Sequence, residues 1–196
     1  MAILEKADKA TVIWLNAWVN QFPILDSIAK VVVSDYLVPV LMALVLLGLW
    51  FTGKNALAVE RNQRGVITAT LSIIKANLTV EFINIFVFRT RPFDTLDLIE
   101  FFYRPTDSSF PANPAAFGFA TAFGIWMWNR HAGTALLIAA SLFSLCRIYA
   151  GVFYPSDVIG GAAIGVTSGI LSGILLRRIE PIPTKFLNLA RRLYLA

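Results

Sequence analysis

The stretch RIYAGVFYPSDVIGG, residues 147–161, decides the fold because it joins two long apolar runs through one short polar turn. The run before the turn extends from Ala132 to Ala150, and the run after it extends from Val158 to Leu176. Each run approaches the length of about 20 mostly apolar residues that a membrane-spanning helix needs. The stretch therefore predicts a helical hairpin in a membrane, with the Ala150–Asp157 turn at one membrane face.

The composition of the whole chain is also typical of a membrane protein. Of its 196 residues, 57% are hydrophobic and 15% are charged, and the mean hydropathy is +0.68. Soluble domains carry about 25% charged residues, so the chain is too apolar for a soluble or a disordered protein. The net charge of +5 does not indicate a nucleic-acid partner, because the basic residues lie at the ends of the apolar runs.

Three more apolar runs precede the hairpin. They are Tyr36–Phe51 (preceded by Val31–Val33), Val66–Phe88 and Ala115–Trp128. With the hairpin, they predict an all-α integral membrane protein with about five transmembrane helices. We expect a single membrane domain over residues 1–196, with the transmembrane bundle at residues 31–176.

Both terminal segments have amphipathic patterns. Residues 6–22 place apolar side chains at helical spacing and include Trp14 and Trp18, and residues 185–195 combine apolar with basic side chains. Helices of this kind lie in the interface of a membrane. We interpret both segments as surface helices that pack against the bundle or anchor it.

The charges between the runs predict the orientation. The Gly53–Arg64 segment and the tail after Leu176 carry more basic than acidic residues, whereas the Arg89–Pro111 loop does not. Basic loops remain on the cytoplasmic side. We therefore expect a multi-pass protein of the cell membrane with a cytoplasmic C-terminus, and with the Arg89–Pro111 loop and the 150–157 turn outside.

Three arginines near that outer face are candidate phosphate ligands: Arg89, Arg91 and Arg147. A guanidinium can bind two phosphate oxygens at once, and the start of the third apolar run would add the positive end of a helix dipole. Arginines at a membrane edge also act as anchors that reach for the interface. The spacing alone leaves an anion site and interfacial anchoring equally open.

Polar residues interrupt the second run at Lys75, Asn77, Glu81 and Asn84. The last three share one helical face, from which Lys75 is rotated away. Ionisable groups inside a membrane are candidates for function. A buried polar network, a contact with another protein and a transport path are the three interpretations of these residues.

The order of these motifs resembles the type-2 phosphatidic acid phosphatase superfamily and, within it, the bacitracin-resistance type of undecaprenyl-diphosphate phosphatase. The likeness rests on Arg91-Pro92, on DSSFP at residues 107–111 and on residues 147–161, and it extends over the whole chain. It implies the helical membrane bundle of that family. The phosphatase motifs of the family are K-x6-R-P, P-S-G/D-H and S/A-R-x5-H-x3-D.

Four positions of this chain depart from those motifs. Asn84 replaces the lysine of the first motif, and Phe153 replaces the histidine of the third. Ala112 and Pro114 replace the serine and the histidine of the second. In the family, the third-motif histidine attacks phosphorus and the second-motif histidine protonates the leaving oxygen, so the resemblance implies degenerate catalytic positions. The retained motif residues are Arg91, Pro92, Pro111, Arg147 and Asp157.

No other residue is an obvious replacement for these histidines. His131 is the one histidine, and the charge pattern places it on the cytoplasmic side, about 30 Å of hydrocarbon away from the arginines. Cys146 in an apolar helix is typical of an inert packing residue. One histidine and one cysteine cannot form a metal-ligand cluster, so we expect neither a metal nor a cofactor.

Together these features predict a degenerate, non-catalytic, lipid-phosphatase-like membrane protein that acts as a subunit or a lipid-phosphate-binding element of a membrane complex. The expected partners are membrane lipids, including phosphorylated or isoprenoid lipids, and other membrane-protein subunits, but not nucleic acid. Two alternatives stay open: an active undecaprenyl-diphosphate phosphatase with another nucleophile, and a carrier of a phosphorylated lipid.

Overall fold

The computed structural model describes residues 2–99 and 104–193, and the regular structure within them is helical. In chain order the helices are α1 (Ala2–Asn16), α2 (Pro23–Val33), α3 (Leu37–Phe51), α4 (Ala56–Asn84), α5 (Pro92–Thr95), α6 (Asn113–Trp126), α7 (Arg130–Tyr149), α8 (Pro155–Arg178) and α9 (Ile182–Arg192). The predicted all-α membrane bundle is confirmed, because its apolar runs all form helices.

Helices α4, α7 and α8 are long and apolar enough to cross a membrane, and α2 with α3, bent by 60°, forms a fourth candidate if the pair is one span. The third apolar run forms α6, which has 14 residues. At 1.5 Å per residue α6 is about 21 Å long, less than the roughly 30 Å of a hydrocarbon core. Among the described residues, length and composition thus support up to four spans, where the sequence predicted about five.

Helix α6 lies between α4, α7 and α8 and is largely buried by them. It packs closely on α8 because α8 presents a glycine at every fourth position of the contact: Gly161, Gly165, Gly169 and Gly173. A Cβ at Gly165 would lie 2.5 Å from the Ala116 carbonyl oxygen. Small residues of this kind allow the close backbone approach that stabilises helix pairs in a membrane.

Helix α4 begins earlier than the sequence predicted. Asn55 caps it by accepting a hydrogen bond from the Ala58 N–H at 2.8 Å, so most of the predicted Gly53–Arg64 connection belongs to the first turns of the helix. Arg64 in these turns contacts Glu180, which precedes α9. The basic segment and α9 therefore lie at the same end of the bundle.

Both terminal segments are helical, but with different bounds from those predicted. Helix α1 ends at Asn16 rather than at residue 22, and turns follow it before α2. Helix α9 covers 182–192, and residues 194–195 of the predicted C-terminal helix lie outside the described residues. Trp14 and Trp18 are exposed, as expected for side chains at a membrane interface.

Candidate functional site

Four helix ends meet at the end of the bundle opposite α9: the C-termini of α4 and α7, and the N-termini of α6 and α8. Backbone hydrogen bonds join the loops between them. Ser109 N donates to Arg89 O at 2.9 Å, and Ala112 N donates to Asp157 O at 3.0 Å. The three arginines proposed from the sequence all lie at this end, but they contact no carboxylate in common: Arg89 pairs with two, and Arg91 and Arg147 with one each.

Arg89 is the centre of an ion-pair cluster at the N-terminus of α8. It donates from Nη1 to Asp157 Oδ1 at 2.5 Å and from Nη2 to Asp8 Oδ2 at 2.8 Å. Asp157 is fully buried and also accepts hydrogen bonds from Ser109 Oγ at 2.5 Å and Tyr154 N at 3.0 Å. Asp157 therefore joins the loop that contains Arg89, the loop that contains Ser109 and the first turn of α8.

Asp8 of α1 was not a candidate from the sequence, yet it is 3% exposed. Besides Arg89, it binds Ser156, whose N–H donates to Asp8 Oδ1 at 3.0 Å and whose Oγ donates to Asp8 Oδ2 at 2.5 Å. Ser156 lies in the first turn of α8, and the positive end of a helix dipole stabilises a carboxylate at the N-terminus of a helix. An acidic residue in an amphipathic helix is usually solvated, so no local sequence signal distinguished Asp8.

A cavity of about 550 Å³ lies beneath α1 next to this cluster. Asp8, Lys9, Arg89 and Ser156 are among its lining residues. At its rim, Lys9 donates a hydrogen bond of 2.7 Å to Glu5, which lowers the pKa of the Glu5 carboxyl below its ordinary value. The polar lining of this cavity is therefore already organised by ion pairs within the chain.

Arg91 holds the loop before α6. Its Nη2 donates to Asp107 Oδ1 at 2.8 Å, its Nε donates to Asp107 O at 3.1 Å, and its Nη1 donates to Val152 O at 3.2 Å. The guanidinium carbon lies 4.3 Å from the centroid of the Phe153 ring. Arg91 is 3% exposed and Phe153 is 2% exposed, so the two side chains cover each other.

Phe153 occupies the position of the third-motif histidine, and it packs in an apolar cluster in addition to its contact with Arg91. Its buried neighbours include Val33, Phe93, Ala112, Ala115 and Val152. A phenyl ring has no lone pair with which to attack phosphorus, and its burial among apolar side chains stabilises the fold. Cys146 is half-buried against the same cluster, in an environment where a thiol is unreactive.

Arg147 lies on a second, smaller cavity of about 200 Å³, which we call the Arg147 cavity. Its lining includes Asp35, Asn77, Asn113, Pro114, Phe143 and Arg147. Arg147 donates from Nη2 to Val33 O at 3.0 Å and forms an ion pair with Asp35 at the α2–α3 bend. Asn113 and Pro114 are the first residues of α6, so the positive end of its dipole lies beside the arginine.

The other sequence candidates lie apart from one another. His131 is in the first turn of α7, sixteen residues before Arg147, which is about 24 Å along the helix axis. Lys75 lines a groove between α4 and α8, and Glu81 is exposed. Asn84 is the last residue of α4, where its Oδ1 is buried. Among residues 2–99 and 104–193, no group of three or more His, Cys, Asp or Glu side chains could hold a metal ion.

Comparison with known proteins identifies the family. The family model described as "PAP2 superfamily" matches residues 65–179, which is more than half of the chain. Undecaprenyl-diphosphatase BcrC of Bacillus subtilis (strain 168) is 28% identical over 87% of this chain and 83% of its own length. Putative undecaprenyl-diphosphatase YbjG of Escherichia coli (strain K12) is 27% identical over 89% of this chain and 84% of its own length.

Solved structures have the same fold. Aquifex aeolicus LpxE superposes with a TM-score of 0.64 at 26% identity, over 85% of this chain and 94% of that protein. The transmembrane PAP2 type phosphatidylglycerolphosphate phosphatase from Bacillus subtilis superposes with a TM-score of 0.66 at 18% identity, over 92% of this chain and 90% of that protein, and this likeness concerns the fold alone. The chain is therefore a membrane protein that belongs to the PAP2 superfamily.

Proposed function

We propose that this protein binds the phosphate group of a membrane lipid in the Arg147 cavity and does not cleave it by the histidine route of its family. The observation that carries the proposal is the buried Phe153 ring at the position of the nucleophile, with Arg91 packed on its face. That space is filled by the phenyl ring and by the guanidinium packed on it. A lipid phosphate beside Arg147 therefore has no imidazole at this position to attack it.

The chemistry of the other motif positions supports the same proposal. Pro114 has no N–H and cannot protonate a leaving oxygen, a step whose general-acid catalysis contributes about 10²–10⁴ in rate. Asn84 is neutral and cannot replace the charge of a lysine. His131, at the far end of α7, is about 24 Å from Arg147 and cannot substitute for either histidine.

Binding is supported by the surroundings of Arg147. Its guanidinium and the N-terminus of α6 both favour an anion in the Arg147 cavity. Its carboxylate partner Asp35 lies at the bend between α2 and α3 and is 32% exposed, so a phosphate can take the place of this carboxylate. Phe117 and Phe143 add apolar walls that suit the first part of a lipid chain.

A second candidate is hydrolysis of undecaprenyl diphosphate. It is favoured by the names of the relatives BcrC and YbjG, and the comparisons support it better than they support a non-catalytic role. This candidate requires a nucleophile other than the residue at 153. In such an enzyme Arg147 would stabilise the negative charge on the phosphoryl oxygens, as the resemblance implies.

Phosphate release by the purified full chain separates the two candidates. The chain in neutral-lipid nanodiscs is given undecaprenyl diphosphate or phosphatidic acid, and inorganic phosphate is measured against purified BcrC as a positive control. We expect the unsubstituted chain to release no more phosphate than an Asp35→Asn/Arg147→Met double variant, which serves as the background. We also expect the unsubstituted chain to bind a lipid phosphate. Release at a rate near that of BcrC, abolished in the double variant, would establish hydrolysis.

The proposal extends to location and partners. We place the Arg147 cavity on the outer side of the cell membrane, because the basic loops are expected on the cytoplasmic side.

We also propose a role within a membrane complex, because Glu81 is exposed on α4 among apolar residues such as Leu78 and Ile85. Crosslinking in native membranes followed by purification tests this role, and recovery of the chain alone would contradict it.

A further inference from the structure

We infer that the side-chain amides of Asn77 and Asn113 are ligands of the lipid phosphate in the Arg147 cavity, and that this ligand set selects a singly charged phosphate over a diphosphate. The inference rests on the proposed function, because it names the ligands and the charge class of the group bound at that site. Asn77 lies outside the three motifs, and Asn113 stands at the G/D position of the second motif, to which the sequence analysis assigned no role.

The first observation is the state of the two amides. Asn77 and Asn113 both line the Arg147 cavity, and the Oδ1 atom of each is buried without a hydrogen-bond partner among the described residues. Nearly all buried polar atoms in proteins are hydrogen-bonded. Two unsatisfied amide oxygens in one cavity therefore indicate a polar group from outside the chain as their partner.

Asparagine suits a phosphate in either orientation of its amide. Oδ1 accepts a hydrogen bond from a protonated phosphate oxygen, and a half-turn about Cβ–Cγ presents the two N–H donors of Nδ2 to unprotonated oxygens. The same side chain therefore binds a phosphate monoester that keeps one proton and a phosphodiester that has none.

The second observation is the convergence of three helices on one small space. Asn77 lies two turns before the end of α4, Asn113 in the first turn of α6, and Arg147 in the last turn of α7. The cavity of about 200 Å³ is several times the roughly 30 Å³ that a water molecule occupies in the liquid. It has room for one phosphate group, with side chains from three helices in its lining.

The third observation is the charge around the site. Arg147 contacts Asp35, Arg91 contacts Asp107, and Arg89 contacts both Asp8 and Asp157. Three arginines therefore face four carboxylates, so this cluster has no surplus positive charge. The lysine and the histidines of the family motifs are replaced by the neutral residues Asn84, Pro114 and Phe153.

This balance of charge decides the class of ligand. A phosphate with one negative charge balances the single positive charge of Arg147 when the partly exposed Asp35 carboxylate turns away into solvent. A diphosphate brings at least one further negative charge, and none of these three arginines is left to compensate it. The fitting ligands are a phosphodiester lipid headgroup and the monoanion of an isoprenoid monophosphate.

Calorimetric titration of the full chain in nanodiscs of phosphatidylcholine tests the inference. The probes are dioctanoyl phosphatidylglycerol, farnesyl phosphate and farnesyl diphosphate, all at a pH about one unit below the second pKa of about 6 of a phosphate monoester, so that farnesyl phosphate is mainly the monoanion. We expect at least one singly charged probe to bind about tenfold or more tightly than the diphosphate. We expect Asn77→Leu and Asn113→Ala each to weaken that binding about tenfold, as the loss of a charge-assisted hydrogen bond predicts. Asn188→Ala, at an exposed position of α9, is the matched control and leaves binding unchanged.

Asn77→Asp and Asn113→Asp keep the size of the side chain and serve as second variants if the first pair does not fold. Their carboxylates repel a phosphate, so we expect binding to be lost. Binding that survives in every asparagine variant would overturn the assignment of the amides while leaving the proposed function intact. Tighter binding of the diphosphate would overturn the charge class. Absence of binding by the unsubstituted chain would overturn the proposed function itself.

Discussion

The guanidinium of Arg91 packs on the face of the Phe153 ring, 4.3 Å from its centroid. A retained arginine of the first motif thus covers the residue that replaces the nucleophile of the third. Arg91 also binds the side chain and the carbonyl oxygen of Asp107 and the carbonyl oxygen of Val152. The pair therefore joins the loop before α6 to the turn between α7 and α8, and its contacts are those of a packing element.

Restoring one histidine should not restore phosphatase chemistry. We expect Phe153→His to release no more phosphate from undecaprenyl diphosphate than the unsubstituted chain, because Pro114 still supplies no acid and Asp157 is already bound by Arg89 and Ser109. Phosphate release and thermal unfolding are measured together, so that a folded but inactive variant is recognised. Rapid release by this single variant would show that Phe153 alone prevents hydrolysis, and that neither Pro114 nor the pairing of Asp157 does.

Asp35 should compete with the ligand for Arg147. We expect Asp35→Asn to increase the affinity for a singly charged lipid phosphate about tenfold, because the carboxylate in contact with Arg147 is removed. Binding of farnesyl phosphate in nanodiscs measures the change, at a pH about one unit below its second pKa of about 6, where the monoanion predominates. Asp97→Asn, at an exposed position of a loop, is the control. Weaker binding by Asp35→Asn would mean that Asp35 holds Arg147 in its binding position instead of competing.

Asp8 should hold α1 against the bundle. We expect Asp8→Ala to destabilise the protein by about 1–3 kcal/mol, since it removes the buried acceptor of Arg89 and Ser156. Hydrogen exchange should become faster in α1 and at the Ser156 N–H. Glu5→Ala, whose side chain is largely exposed, is the matched control in the same helix. Unchanged exchange in α1 would show that apolar packing alone holds it.

The glycines of α8 should be needed for its packing against α6. We expect Gly165→Ala to destabilise the bundle by about 1–3 kcal/mol, because the added Cβ would lie 2.5 Å from the Ala116 carbonyl oxygen and 2.7 Å from the Ala120 nitrogen. Unfolding in detergent measures the loss. Gly48→Ala in α3 is the control, since a Cβ there meets nothing within 4 Å. A stabilised Gly165→Ala variant would contradict the close approach of the two helices.

Single-cysteine labelling in intact cells tests the orientation of the protein in the membrane. In a Cys146→Ala background, we expect Asp97→Cys to react with a membrane-impermeant maleimide, and Lys54→Cys to react only after permeabilisation. Both positions are exposed, so a difference in labelling reports the side of the membrane. The opposite pattern would reverse the orientation that the basic loops predict.

The helices could be predicted from the sequence because apolar run length and local signals determine them. The runs around residues 147–161 form α7 and α8, and the motif residues around Arg91 and Asp157 indicated the family. The start of α4 was placed too late because the polar first turns after Asn55 resemble a loop when their tertiary contacts are unknown. Helix α6 was counted as a span because its composition is apolar, although its length is short.

The amino-acid sequence by itself determined that the chain is a helical membrane protein, which family it resembles, and which motif positions lack an imidazole. These are properties of residue type and spacing. Only the tertiary structure decided that Arg89 pairs with Asp8 and Asp157, that Arg147 pairs with Asp35, and that Asn77 and Asn113 share a cavity. Such pairings join residues far apart in the chain, and they depend on how four helix ends are packed together, which no local pattern encodes.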